Sequence, residues 1–317
     1  LKIKRLFQAA EKTHCSSDNR GMNNIPSTPC YLNGEFMSLN EARIPVMDRG
    51  FIFGDGLYEV VPIYGGRPFR FDGHMARLER SLKEMRIANP HSRDQWLAMV
   101  NQLAQLLAEQ QGQGASHMDQ IFYLQITRGV APRDHAMPTN ITPTVFAMVQ
   151  VLKPIAADVR NKGVACVSAE DFRWEKAHIK STSLLGAVFS RQISADVGAT
   201  ETIMFRGDFL SEAAASNVWV VKNGTLIGAI NNHLVLEGVR YGLIETLCEQ
   251  AGIAFELRNV HRNEVFDADE LILSSATKEI LAITTLDNKP VGRGATSSKP
   301  GPIYQKLFAL YQEAKKA

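Results

Sequence analysis

Lys180 in HIKSTSLLG, Glu212 in LSEAAASNVW and Gly238 in LEGVRYGLIETL are the residues whose types and order could carry covalent chemistry. A lysine amine can condense with an aldehyde as a Schiff base, and a carboxylate can keep a ring nitrogen protonated. A helix opening at a glycine offers backbone N–H groups to a phosphate. Taken singly, each has a plainer reading: Lys180 as a lysine snorkelling beside Ile179 at the mouth of a helix, Glu212 as a turn acid, Gly238 as a loop glycine.

The surrounding words favour the chemical reading. MDRGFIFGDGLYEVV, FDGHMARLERSLKEMRI, QITRGVAPRDH, EDFRWEKAHIKSTSLLGAV, SEAAASNVWVV and LILSSATKEI follow one another within Cys30 to Leu286. With them the chain resembles the fold-type IV pyridoxal phosphate enzymes, and among these the D-amino-acid transaminases. The resemblance implies a two-domain α+β fold, with a small N-terminal α+β domain, a larger C-terminal mixed α/β domain and the site in the cleft. It implies that Lys180 holds pyridoxal 5′-phosphate and shuttles the proton at the substrate Cα, and that Glu212 faces the pyridine nitrogen. The phosphate falls to Arg77 in HMARL, to backbone donors at Val239 and Arg240, and to the SSAT turn at Ser275, Ala276 and Thr277.

Three departures from the family pattern stand out. Arg240 occupies a place where relatives often have threonine, Ala276 lacks a hydroxyl that some members aim at the phosphate, and Ala213, Ala214 and Ala215 replace part of a hydroxyl network that Ser216 and Asn217 retain. On the substrate side the resemblance points to Tyr58, Arg133 and His135. Arg133 and His135 would lie on a loop entering the neighbouring subunit's site, which makes a homodimer with shared sites the expected assembly; Arg49 and Arg173 would order the same pocket. The implied reaction is ping-pong transfer of an amino group from a D-amino acid, D-alanine foremost, to a 2-oxo acid such as 2-oxoglutarate. Branched-chain L-amino-acid transaminases and aminodeoxychorismate lyases share the lysine, the glutamate and the phosphate cup, and remain the alternatives.

Composition narrows the function classes. The 317 residues, 45% hydrophobic and 21% charged, suffice for one large core or two medium ones. A net charge of +2, with no Lys/Arg block interleaved with aromatics, speaks against a nucleic-acid partner. No apolar run is long enough to cross a bilayer, so no membrane partner is expected. Cys15, Cys30, Cys166 and Cys248 lack CxxC spacing, which argues against a zinc site or a disulfide framework and fits a reducing compartment, the cytoplasm. His74 and His178 flank the candidate residues without an HxH or HExxH pattern, and the acids around Asp55 are too few for calcium, so no metal is expected.

The elements that must position these residues are legible from turns and periodicity. An Asn-Gly pair in CYLNGEFMSL predicts a hairpin, and LYEVVPIYGGRPFRF predicts a second, turning at Gly65 and Gly66. Asp72 is placed to cap the helix GHMARLERSLKEMRI, and another helix is predicted near Asp94 to Gln111. With the strands IFYLQITRG and PTVFAMVQVL these make a domain over residues 28–151. LKPIAADV, 152–159, reads as a linker to a domain over 160–317. There helices are predicted at Ser183 to Val197, Gly238 to Ala251 and Pro302 to Ala314, and strands at GVACVSA, TIMFR, NVWVVKNG, FELRN and ELILSS. Residues 1–27 lack the apolar core of a secretory signal and are expected to be a poorly ordered extension, with Met22 a candidate start.

Overall fold

The computed structural model describes residues 25–114 and 117–316. The expected extension lies outside the described residues except for 25–27, and Met22 and Cys15 lie outside them too.

Pro29–Leu32 (β1) and Glu35–Ser38 (β2) form the predicted hairpin. Asn33 and Gly34 between them both have positive φ, the conformation a two-residue turn needs to match strand twist. A short helix, Arg49–Phe53 (α1), is capped by the Asp48 carboxylate accepting from the Gly50 N–H. Gly56–Tyr64 (β3) and Arg67–Pro68 (β4) make the second hairpin, and the chain leaves the sheet before Phe71–Glu84 (α2). Asp72 does not cap α2. Arg70, in the left-handed region, takes the cap position without a side-chain bond, so Asp72 falls in the first turn and accepts from Arg93. Arg93–Gln110 (α3) opens with a capping box between Ser92 and Gln95. Gln120–Thr127 (β5) and Thr144–Val151 (β6) complete an antiparallel sheet in the order β2-β1-β6-β5-β3-β4. The apolar faces of α2 and α3 close its core around Val61, Leu82, Leu103, Phe122 and Leu124.

The stretch expected as a linker is free of helix and strand only as far as Ala156, because Ala157–Lys162 (α4) begins inside it. The second sheet then builds from Val164–Glu170 (β7), Glu201–Arg206 (β8), Phe209–Ala213 (β9), Asn217–Lys222 (β10), Thr225–Ala229 (β11), Ala254–Arg258 (β12), Glu270–Ser275 (β13), Glu279–Leu286 (β14) and Lys289–Pro290 (β15). Its order is β12-β11-β10-β13-β14-β7-β8-β9, with β15 beside β14. β11–β12, β14–β7 and β7–β8 pair in parallel. The nearly unbroken apolar runs of β13 and β14 sit at its centre, as strands covered on both faces must.

Leu185–Asp196 (α5), Arg240–Ala251 (α6), Arg262–Phe266 (α7) and Pro302–Ala314 (α8) join α4 as helices of this half. The predicted helix start at Gly238 moves to Arg240: Val239 takes the cap position, and a turn bond runs from the Tyr241 N–H to the Gly238 carbonyl. α6 and α8 pack together over Trp219, Tyr241, Leu247, Leu307 and Tyr311. Among the described residues no helix is long and apolar enough to cross a membrane.

Candidate active site

A cavity of about 1230 Å³ opens where the two sheets meet. Tyr58, Val60, His74 and Arg77 line it from the first half, and Lys180, Arg173, Glu212, Gly238 to Arg240 and Ser274 to Thr277 from the second. The segment carrying Lys180 is laid along the start of β3. The Tyr58 N–H donates to the Lys180 carbonyl at 3.0 Å, and the Thr182 N–H donates to the Gly56 carbonyl at 2.9 Å. Lys180 Nζ lies 4.1 Å from the centre of the Tyr58 ring and, among the described residues, has no carboxylate or hydrogen-bond partner.

Glu212 lies on strand β9, so the turn reading of this acid fails. The residue is 4% exposed. One carboxylate oxygen accepts from Arg173 at 2.8 Å and from the Leu236 N–H at 3.3 Å; the other accepts from Asn217 at 3.1 Å. Burial pushes this carboxyl above the ordinary carboxylate range, with Arg173 pulling the other way. A carboxylate has about four lone-pair positions, so Glu212 keeps capacity for one further donor. Arg173 is itself held by Asp171, which fixes the guanidinium behind Glu212.

Gly238 stands where no side chain fits: an added Cβ would meet Asn217 Oδ1 at 2.2 Å. That close approach lets the chain turn into α6, whose first N–H groups lack intrahelical acceptors. Ser275, Ala276 and Thr277 face the same end of the cavity from the β13–β14 turn.

Arg77 is buried, not a solvated helix charge. Its Nε and Nη2 donate to Glu59, and its Nη1 donates to the Glu237 carbonyl at 3.0 Å. Three of five N–H groups are thus engaged, which leaves two. His74 Nδ1 lies 2.7 Å from Glu59 Oε2, and its Nε2 is buried without a partner among the described residues. Burial would raise the Glu59 carboxyl, but Arg77 and His74 hold it far below the usual range; burial lowers His74 to about 4. Glu59 went unnoticed in the sequence. Its signal was a lone acid within the apolar run of β3, matched to a His and an Arg three apart on one face of α2.

Arg133 and His135 do not reach their own chain's cavity; both are exposed. They gather on Phe53, a cavity residue: the Arg133 guanidinium carbon is 5.5 Å from the ring centre, and the His135 ring 5.4 Å. Arg49 bonds the Asp134 carbonyl and Asp55, so it fastens that loop to the cavity rim. Asp55 also takes two bonds from Arg128. Among the described residues no three His, Cys, Asp or Glu side chains converge as metal ligands.

The donor set fits pyridoxal phosphate. An unpaired lysine amine stands over a ring, a buried carboxylate keeps one free acceptor position, and a side-chain-free cradle at Gly238 leads into a helix start suited to an anion.

Comparison with known proteins agrees. Residues 56–286 match the family model of amino-transferase class IV. The chain is 33% identical to the D-alanine aminotransferase of Bacillus licheniformis, over 89% of this chain and 95% of that one. It is 32% identical to that of Staphylococcus haemolyticus, over 91% and 99%. Among solved structures, the T.th. branched-chain amino acid aminotransferase with pyridoxamine 5′-phosphate superposes with a TM-score of 0.81 at 17% identity, covering 92% of this chain and 95% of that one. The fold IV-transaminase of Curtobacterium pusillum gives 0.75 at 20%, covering 89% and 92%. The chain therefore belongs to the class IV aminotransferases and is a pyridoxal 5′-phosphate-dependent enzyme of that fold.

Proposed function

We propose that this enzyme is a D-amino-acid transaminase, moving the amino group of a D-amino acid, D-alanine foremost, to a 2-oxo acid such as 2-oxoglutarate. The observation that carries this reading is the match to D-alanine aminotransferases along nearly the whole chain, whereas the branched-chain enzymes match in fold at 17–20% identity. The loop fastened by Arg49, with Arg133 and His135 beside Phe53, supports it.

When bound, pyridoxal phosphate supplies an aldehyde carbon and a ring that takes up the electrons left at the substrate Cα. Lys180 would hold the cofactor through Nζ and would carry the proton at the substrate Cα. Glu212, oriented by Arg173 and Asn217, would face the ring nitrogen and favour its protonated form. Arg77, the backbone of Val239 and Arg240, and Ser275 to Thr277 would bind the phosphate. Tyr58, with Arg133 and His135 of a second copy, clamps the α-carboxylate and so selects the enantiomer.

The second copy is part of the proposal. α5 turns Leu185, at 69% exposure, with Val188 and Phe189, outward beside the exposed Phe172 and Trp174 at the cavity mouth. Such a contiguous apolar patch suits a subunit interface. A cytoplasmic setting is supported by Cys30, Cys166 and Cys248, all buried free thiols.

The test is a donor screen with 2-oxoglutarate. D-alanine is expected to be accepted; activity on L-leucine or L-valine with none on D-alanine would reassign the enzyme to the branched-chain class. Borohydride reduction of the holoenzyme and peptide mapping should place the cofactor on Lys180, and a label on Lys176 would overturn that assignment.

A further inference from the structure

Arg240 opens α6 and lines the cavity beside Gly238 and Val239. The residue is 2% exposed, and its guanidinium carbon lies 5.2 Å from the centre of the Phe69 ring. Among the described residues its Nε and Nη2 have no hydrogen-bond partner. Arginine keeps its proton in proteins, so burial cannot be relieved by neutralisation. A buried charge left unpaired is strongly unfavourable. The Tyr311 hydroxyl lies within reach of this side chain, but among the described residues no carboxylate pairs with it.

The nearby acid is already engaged. Glu279 accepts from Arg160, Lys315, Gln312 and Tyr64. The phenols of Tyr64 and Tyr311 feel both Glu279 and Arg240, which places the two groups in one corner of the fold. Three cations there face a single carboxylate. Arg240 also acts electrostatically on His74, a cavity residue whose Nε2 is likewise buried and unpartnered among the described residues. A dianion at the start of α6 is the charge this corner lacks.

We propose that the Arg240 side chain, and not only its backbone, is a counter-cation for the cofactor phosphate, held in place by the Phe69 ring. The proposal rests on the reading that the start of α6 receives that phosphate. It gives a positive role to the departure from threonine: a hydroxyl donor is exchanged for a guanidinium with several donors and a full charge. Phe69 also packs on Tyr311 of α8, so the same platform ties the phosphate end of the cavity to the C-terminal helix.

The test separates the phosphate from the rest of the cofactor. Affinity of the full chain for pyridoxal 5′-phosphate and for pyridoxal, which lacks the phosphate, is measured by absorbance for the parent, Arg240→Met, Arg240→Thr and Arg240→Lys. Losing the partner of a buried charge predicts roughly a thirtyfold or greater loss for pyridoxal 5′-phosphate in the methionine variant, and less than about threefold for pyridoxal. The lysine variant should fall between parent and methionine. Should the methionine variant fail to fold, the threonine variant, which restores the residue common in relatives, carries the comparison. Equal losses for both ligands, or no loss for either, overturn the role of Arg240. Borohydride mapping of each variant reports the underlying reading separately, because a label away from Lys180 would refute the cavity assignment itself.

Discussion

Glu212 and Glu59 are similarly buried, at 4% and 1% exposure, yet their surroundings push their acidities in opposite directions. Glu59 receives three hydrogen bonds from Arg77 and His74 and is held as a carboxylate far below the ordinary range. Glu212 receives bonds from one shared arginine, one amide side chain and one backbone N–H, and burial still raises it. The difference is the one that would separate a structural acid from a working one, the role the proposed function gives Glu212. The first is saturated by donors of the chain itself, the Arg77 guanidinium foremost. The second is left short of positive charge, which a protonated ring nitrogen can supply.

Breaking the saturated acid should have the largest effect. Glu59→Gln leaves Arg77 buried without its partner, and removing one side of a buried pair costs about 3 to 5 kcal/mol. Denaturant unfolding should show that loss; a change under about 1 kcal/mol would mean Glu59 does not anchor α2 to β3. The matching change at the working acid should act on rate instead. Glu212→Gln is expected to slow Cα proton removal about a hundredfold or more, about 2.7 kcal/mol, while unfolding stability holds. Single-turnover rates with D-alanine within about twofold of the parent would remove Glu212 from the ring nitrogen.

A third variant touches neither acid and sharpens the contrast. Arg133→Leu should lower kcat/KM for D-alanine by roughly thirtyfold, at the lower end of the 2 to 5 kcal/mol for a desolvated charge pair. Amines lacking a carboxylate should be affected much less, and an equal loss on both would assign Arg133 to the general fold of the loop. The smallest effect concerns His74, depressed to about 4 from an ordinary value near 6.5. Between those values the unfolded chain binds the proton and the folded chain does not, so stability falls as pH falls. From pH 7 to 5 this accounts for up to about 2 kcal/mol of lost stability, a loss that His74→Gln should abolish. Parallel pH profiles for parent and variant would show that His74 is not held neutral.

What the sequence disclosed depended on the kind of signal. The Asn33-Gly34 turn and the helix from Pro302 are local, and both appear where expected. β9 was hidden because FLSEA is short and runs into two further alanines and a serine, a string that reads as a turn; only pairing with β8 makes it a strand. β14 lay in an apolar run whose period fits a buried helix as well as a central strand. Asp72 misled because cap preference describes a residue type, while the left-handed Arg70 decided where the helix began. Gathering Lys180, Glu212 and the α6 start into one cavity needed the family words, since spacing along a chain does not encode distance across two sheets.

The two backbone bonds that lay the lysine strip along β3 have a mechanical consequence. A segment borne by one half of a cleft but stitched to the other acts as a weld, so opening the halves like a hinged jaw would break both bonds. Under the proposed function, successive reactants would then enter past the rim, where the Arg49 side chain bonds the Asp134 carbonyl.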